Sequence, residues 1–392
     1  SFKKRFSLKP GDARVKAFAE FQRHGLPSRD SEEFKYTPVQ HLEQEQWSVA
    51  LNLGRQMAPG AHQKILDSVN KTYSNDFYSL VFYNGYVLKA YSSFDALKDS
   101  LQIIDENSPL FEVECQKGGL DFLRESFGGQ GCKLVFKKKL DKPLHIQHFT
   151  GSEGFEKWAI FPYHEIHLET GAQVSLLESW TSVNSKPVLI APKTKLNLAN
   201  KARLEYVRYQ DENVNSCNFG RTDFEVAADC EVNVVSITKT ARIARHEIHC
   251  GLKGERSFFN CYGLYDVSEN QFADHNTKIE HQVGDCRVDQ LYKGVLAANG
   301  KSVFSGLIKI CADAQKASAA QLNKNLLLDS KAEANSKPQL LILADDVKAT
   351  HGSTVGQINP EEIFYFQSRG ISKEQALKML TISFAEEILY KV

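Results

Sequence analysis

With 392 residues, 42% of them hydrophobic, the chain can bury a substantial core in one large domain or two to three ordinary ones. Lysine plus arginine (48) equals aspartate plus glutamate (48), so no global field draws in nucleic acid or an anionic membrane surface. No apolar run approaches the ~18 residues of a membrane-spanning helix, and the basic stretch Ser1 to Lys16 lacks a hydrophobic signal core, so neither membrane insertion nor secretion is expected.

The first segment reads as helix-rich. Asp12 is placed to cap a helix that runs through His24 and stops at Gly25, and Ser31 to cap a further turn ahead of Phe34. Tyr78, Leu80 and Phe82 alternate up to Asn84-Gly85, the dipeptide suited to a type I′ turn, and Val87 begins the return strand of a hairpin. Another helix is predicted from Leu120 to Phe127, closed by Gly128-Gly129.

From about Lys133 the apolar period switches to two, and a repeat emerges. Centred on Gly171, the residues five and three before and three and five after are Ile166, Leu168, Val174 and Leu176. Centred on Lys201 they are Leu196, Leu198, Leu204 and Tyr206, and centred on Asp229 they are Phe224, Val226, Val232 and Val234. Two short strands around a small or polar turn, recurring about every 30 residues, suggest a solenoid whose units bury their apolar faces by stacking, although a sandwich of hairpins shares the alternation. The register becomes irregular after Arg245, but strand-like runs at Thr277 to His281 and Ser302 to Ile310 extend the solenoid toward Leu343.

Several groups of residues invite a chemical reading. The eight cysteines at 115, 132, 217, 230, 250, 261, 286 and 311 are too sparse for a disulfide framework and contain no C-x-x-C pair; buried, reduced thiols are expected rather than a zinc site. His-Glu-Ile-His occurs at His164 to His167 and again at His246 to His249. On a strand, residues three apart face opposite ways, so neither pair can chelate one ion, and solvent-facing or cross-strand histidines are expected. Asp274-His275-Asn276, with His281 and Cys286 beyond, is read as a polar turn. The chain has no phosphate-cradling glycine loop and no G-x-S-x-G elbow, which leaves no visible nucleotide site or hydrolase nucleophile.

The stretch Gln321 to Leu389 is the most organised. Leu340 to Leu343, bounded by Pro338 and two aspartates, reads as the last strand of a sheet, and His351-Gly352 then falls on an exposed loop. Asn359-Pro360-Glu361-Glu362 supplies a helix start and Gly370 its stop. Ser372 and Gln375 form a capping box for a second helix, on which Leu377, Leu380, Phe384 and Ile388 share an apolar face. Neutral imidazole is a good ligand for iron or zinc, but on spacing alone His351 reads as an ordinary turn histidine.

The ordered series Gln321 to Leu328, Lys337-Pro338-Gln339-Leu340, Asp346-Val347-Lys348, His351 to Gly356, Phe364-Tyr365-Phe366 and Ser368-Arg369-Gly370-Ile371 resembles the SufB/SufD family of iron-sulfur cluster assembly proteins. Glu33-Phe34-Lys35-Tyr36-Thr37-Pro38 is similar to the N-terminal signature of its SufD branch. The resemblance implies a mainly β protein: a right-handed parallel β-helix over 136–345 between an N-terminal α-rich domain (1–135) and a C-terminal helical domain (346–392). It implies a non-catalytic scaffold that pairs with a SufB-type homologue and docks a SufC-type ATPase through Phe364, Leu377, Leu380, Phe384 and Ile388. His351 would be a ligand of a transient cluster at the SufB interface, with no cofactor held stably. Ala349 stands where relatives commonly have cysteine, so any thiolate would come from the partner. A homodimer in isolation and a cytoplasmic location, or the plastid stroma if a transit peptide has been removed, complete the expectation. The rival from another class is a β-helix enzyme acting on polysaccharide.

Overall fold

The computed structural model describes residues 2–3, 13–28, 31–49, 57, 60–72, 76–104, 118–128, 130–152, 154 and 156–392. Asp12, Cys115 and Gly129 therefore lie outside the described residues. The N-terminal segment contains β1 (Phe2–Lys3), α1 (Ala13–His24), α2 (Gln40–Gln44), β2 (Trp47–Val49), α3 (Ala61–Thr72), β3 (Tyr78–Tyr83), β4 (Tyr86–Val87), α4 (Phe94–Leu97), β5 (Leu101–Ile104) and α5 (Gly119–Phe127). Strands then follow almost without interruption: β6 (Gln130–Phe136), β7 (Leu144–Thr150), β8 (Lys157–Ile160), β9 (Pro162–Leu168), β10 (Gln173–Ser182), β11 (Val188–Ile190), β12 (Lys193–Leu198) and β13 (Arg203–Asp211). Next come β14 (Cys217–Val226), β15 (Glu231–Thr240), β16 (Ile243–Leu252), β17 (Phe258–Val267), β18 (Phe272–His281), β19 (Arg287–Leu296), β20 (Lys301–Ile310), β21 (Ser318–Leu327), β22 (Glu333–Ile342) and β23 (Lys348–Gln357). The chain closes with α6 (Pro360–Gln367) and α7 (Lys373–Leu389).

The repeat is realised as a parallel β-solenoid of about eight turns. Alternate strands feed two sheets; one runs β7-β10-β13-β15-β17-β19-β21-β23, and the other stacks β6, β9, β12, β14, β16, β18, β20 and β22. Gln173 lies beside Arg203 and Arg203 beside Glu231, the same steps that separate Gly171, Lys201 and Asp229. All twelve apolar repeat residues are buried, from Ile166 and Leu196 (0%) to Val174 (4%), because each coil covers the inward face of the one before.

The turns explain why the centres of the repeat looked unrelated in sequence. Gly171, Lys201 and Asp229 all adopt left-handed backbone (φ +76, +64 and +60°), and Arg256, Asp285 and Lys316 continue the series. The residue after each is small and buried: Ala172, Ala202, Cys230, Ser257, Cys286 and Ala317. Three of these bond to the preceding coil, as Cys230 Sγ donates to the Ala199 carbonyl (3.1 Å), Ser257 Oγ to Ala227 (2.6 Å) and Cys286 Sγ to Gly254 (3.2 Å). Two cysteines are thus corner residues whose size and weak donor fit the bend.

The N-terminal segment adds to both sheets as well as carrying helices. The β3–β4 hairpin forms with Asn84 at φ +48° and Gly85 at +86°, as a type I′ turn requires, and β3 then pairs in parallel with β7. α1 ends at left-handed Gly25 and packs on α5 through Phe18 and Phe127 (5.5 Å). Ser31 precedes a short turn at Glu32–Phe34, but its side chain makes no capping bond.

Three sequence expectations change. Leu340 to Leu343 does not end the sheet: β22 begins before Pro338, and the sheets continue through β23, so His351 sits on a strand inside the segment expected to be helical. Pro338 is tolerated because β22 pairs only with β20, leaving its other side without a ladder. Asp274-His275-Asn276 is also strand, within β18, where Asp274 and His275 are buried.

Candidate functional site at the open end of the solenoid

In-register residues on parallel neighbours share a face, so the position of His351 follows from its rank. The rank runs Leu144, Leu176, Tyr206, Val234, Cys261, Gln290, Gln321, His351. Every earlier member is buried, but His351 is exposed because, among the described residues, β23 pairs only with β21 and no coil covers it. The imidazole is thus an interior position left uncovered at the end of the stack. Ala349, two residues before it, continues the same inward face beside Ala319.

The interior next to this end is polar. Asn323, Asn325 and Tyr265 form a buried network: Tyr265 OH donates to Asn325 Oδ1 (2.6 Å), Asn325 Nδ2 to Asn323 Oδ1 (2.7 Å), and Asn323 Nδ2 to the Tyr292 carbonyl (3.1 Å). Around the rim, Leu341 (45%) and Val355 (47%) are exposed on the last two strands and Leu343 (55%) just beyond β22, an apolar edge with unpaired backbone among the described residues.

The helix pair forms as its capping residues predict. Asn359 Oδ1 accepts from Glu361 N (2.9 Å) ahead of Pro360, Ser372 and Gln375 make the reciprocal capping box, and Gly370 is left-handed (φ +81°). Its apolar face is used differently from the sequence expectation. Ile388 is fully buried among Val235, Tyr262, Leu264 and Leu291, so it anchors α7 to the solenoid and is not available to a partner. Phe384 is half-buried over Lys293, whose ammonium lies 4.5 Å from the ring, donates to the Phe384 carbonyl (2.8 Å) and pairs with Glu387. Leu377 is half-buried, and so is Leu380, which lines a cleft with Asn359, Glu361, Glu362, Tyr365 and Phe366. The exposed apolar residues of the pair include instead Phe364, Tyr365, Met379 and Ile382, with Leu389, Tyr390 and Val392 at and after the end of α7.

The paired His-Glu-Ile-His motifs split across the sheet as period two requires; the inward member of each is buried, and His246 is a cross-strand neighbour of His275. His164 accompanies His148 (ring centroids 4.9 Å) and Cys132 (Sγ to Nδ1 3.1 Å), while His246 meets His275 far along the stack. His148 stacks on Trp180 at 3.8 Å, and Trp180 donates to Glu178, as does Tyr206. Burial lowers the His164 pKa to about 3, depresses His148 strongly and raises Glu178 and Cys132. Sequence reasoning missed this polar interior, although the signal was present: Glu178 and Arg208 lie two residues beyond Leu176 and Tyr206 and so share their inward face. Among the described residues, no three His, Cys, Asp or Glu side chains converge as a metal-binding set.

The Glu33 to Pro38 element docks on the outside of the solenoid. Phe34 lies under the Arg245 guanidinium (4.1 Å), Thr37 Oγ1 donates to Asp274 (2.5 Å), and Arg245 pairs with Asp274 in the same buried node.

Residues 149–384 match the family model described as SUF system FeS cluster assembly, SufBD core domain, and residues 9–92 match the SufBD protein N-terminal region. The chain belongs to the SufB/SufD family. It is 32% identical over 375 residues to the iron-sulfur cluster assembly protein SufD of Escherichia coli, covering 93% of this chain and 85% of that one. It is 25% identical to the chloroplastic protein ABCI7 of Arabidopsis thaliana (93% and 79% covered) and 23% identical to a SufBD family protein of Staphylococcus epidermidis (96% and 84% covered). This SufB/SufD protein is accordingly a SUF iron-sulfur cluster assembly protein. No helix among the described residues is long and apolar enough to cross a membrane.

Proposed function

We propose that this SufB/SufD protein is a non-catalytic scaffold subunit that joins a SufB-type homologue edge to edge and presents His351 to a nascent iron-sulfur cluster at that junction. The observation that carries the reading is the rank that ends in an exposed imidazole on an uncapped strand. A parallel edge with unpaired backbone and exposed Leu341, Leu343 and Val355 is suited to strand pairing with a like solenoid, and a homodimer in isolation would use the same edge. Such a junction would close the open end, removing bulk water from around His351. Its neutral ring would bind iron of the cargo, and thiolate ligands would come from the partner, since Ala349 supplies none.

The second contact is a SufC-type ATPase seated on α6 and the outer face of α7. Phe364, Tyr365, Met379 and Ile382 provide its apolar surface, and the anchoring of α7 through Lys293 and Ile388 would carry movement of the docked ATPase to the solenoid. His351→Ala is expected to leave folding and co-purification with both partners intact while lowering cluster yield on the assembled complex. An unaltered yield removes His351 from the mechanism.

A further inference from the structure

The amides beneath His351 form a directed chain across the interior. Gln290 Nε2 donates to Thr277 Oγ1 (2.8 Å), and Gln321 Nε2 donates to Gln290 Oε1 (2.6 Å). Both glutamines are buried, at 1% and 2% exposure. Gln321 directs its amide nitrogen toward the preceding coil, which leaves its carbonyl oxygen as the end of the chain. That atom, Gln321 Oε1, is buried without a hydrogen-bond partner among the described residues. A buried acceptor left unpaired is destabilising, so a donor is favoured there. The next side chain in the rank is His351, in register on a strand about 4.8 Å away.

Space for this arrangement is provided from the opposite sheet. A Cβ on Gly306 would lie 2.4 Å from Gln321 Nε2 and 3.0 Å from its Cδ. Only glycine at 306 lets the amide stay where it is.

We propose that Gln321 is a positioning residue for His351: its Oε1 accepts the Nδ1–H of the imidazole, holding the neutral ring in that tautomer and leaving the Nε2 lone pair directed out of the open end. A histidine that binds a metal through one nitrogen is oriented by the hydrogen bond its other nitrogen donates. Gln321 supplies that acceptor from within the same chain. The assignment rests on the reading of His351 as a cluster ligand, but its test does not require a cluster.

The test is nitrogen magnetic resonance of the full chain labelled with 15N-histidine, recorded on the alkaline plateau where the ring shifts no longer change with pH. The His351 signal is identified among the 12 histidines by its loss in His351→Ala. The wild-type ring is expected mainly as the Nδ1–H tautomer. Gln321→Met, which keeps the side-chain length but removes the acceptor, and Gly306→Ala, which displaces the amide while retaining both partners, should each shift at least half of that population to Nε2–H. A wild-type ring already in the Nε2–H form, or a tautomer that neither variant changes, overturns the assignment. Full cluster yield from His351→Ala would instead end the ligand reading and leave the tautomer result in place, so the two failures are distinguishable.

Discussion

Cys261 and His351 occupy the same rank of the solenoid, three coils apart, and differ in almost everything else. Cys261 is fully buried and burial pushes its thiol up to about 12, whereas His351 is exposed to solvent. The backbone register treats them alike. Burial is conferred by the next coil, and among the described residues none covers β23. A stacked repeat therefore creates a reactive position simply by stopping.

The comparison can be broken most sharply by deleting side-chain volume at each place. Leu196→Ala, in the covered middle, is expected to cost about 2–5 kcal/mol in denaturant unfolding. Val355→Ala, on the inward face of the last strand, should cost under about 0.5 kcal/mol, as an exposed substitution does. Equal costs would mean that the end is covered in the free chain.

The helix pair gives a second contrast of intermediate size. Ile388→Ala should destabilise α7 by about 2–4 kcal/mol and expose the segment to limited proteolysis. Ile382→Asp, on the outer face, should leave the melt unchanged and reduce co-purification with a SufC-type ATPase at least tenfold. Retained ATPase capture by the Ile382 variant would move the docking surface elsewhere.

The smallest effect concerns pH. Burial lowers the pKa of His164 and His275 to about 3 and depresses His148 and His246 strongly. Unfolded histidines titrate near ~6.5, so between these limits the unfolded chain binds more protons. The stability these rings contribute is complete above about pH 6.5 and is progressively lost as pH falls below it. Burial raises Glu212 to about 7, which works oppositely: the stability of its neutral form is present below ~4.5 and lost as pH rises through about 7. The seven depressed histidines, with His145, His249 and His281 added, outnumber the six raised carboxylates Glu125, Glu178, Glu205, Glu212, Asp266 and Asp274, so Tm should be lower near pH 5 than near pH 7. His275→Phe, at a ring packed on Tyr265 and Tyr292 with neither nitrogen hydrogen-bonded, should narrow that difference; an unchanged gap would show that protonation of this ring does not contribute.

The solenoid was legible because apolar alternation and the Gly171, Lys201 and Asp229 spacing report directly on stacking. The helix pair was legible because Asn359, Pro360, Ser372 and Gln375 are local signals. The strand carrying His351 was not: Gly352 and Gly356 stand where the preceding coil has Leu322 and Leu326, and inward His351 and Ser353 lie beside Gln321 and Asn323, so the apolar alternation that marks a strand is missing. The buried role of Ile388 was hidden for a related reason. An amphipathic helix shows which face is apolar but not whether the chain's own surface or another protein covers it.

The bends of the solenoid carry a practical corollary. Cys230 and Cys286 hold positions that Ser257 fills in the coil between them, each donating to a carbonyl one layer back. Exchanging both thiols for hydroxyls should therefore be close to silent, and the remaining interior sulfurs, Cys132, Cys217, Cys250 and Cys261, are shielded from reagents while the protein is native. A scaffold prepared in this way, with the half-buried Cys311 and with Cys115 also replaced, offers a quiet background on which one engineered thiol at the terminal rim could carry a spectroscopic probe and report when another subunit arrives.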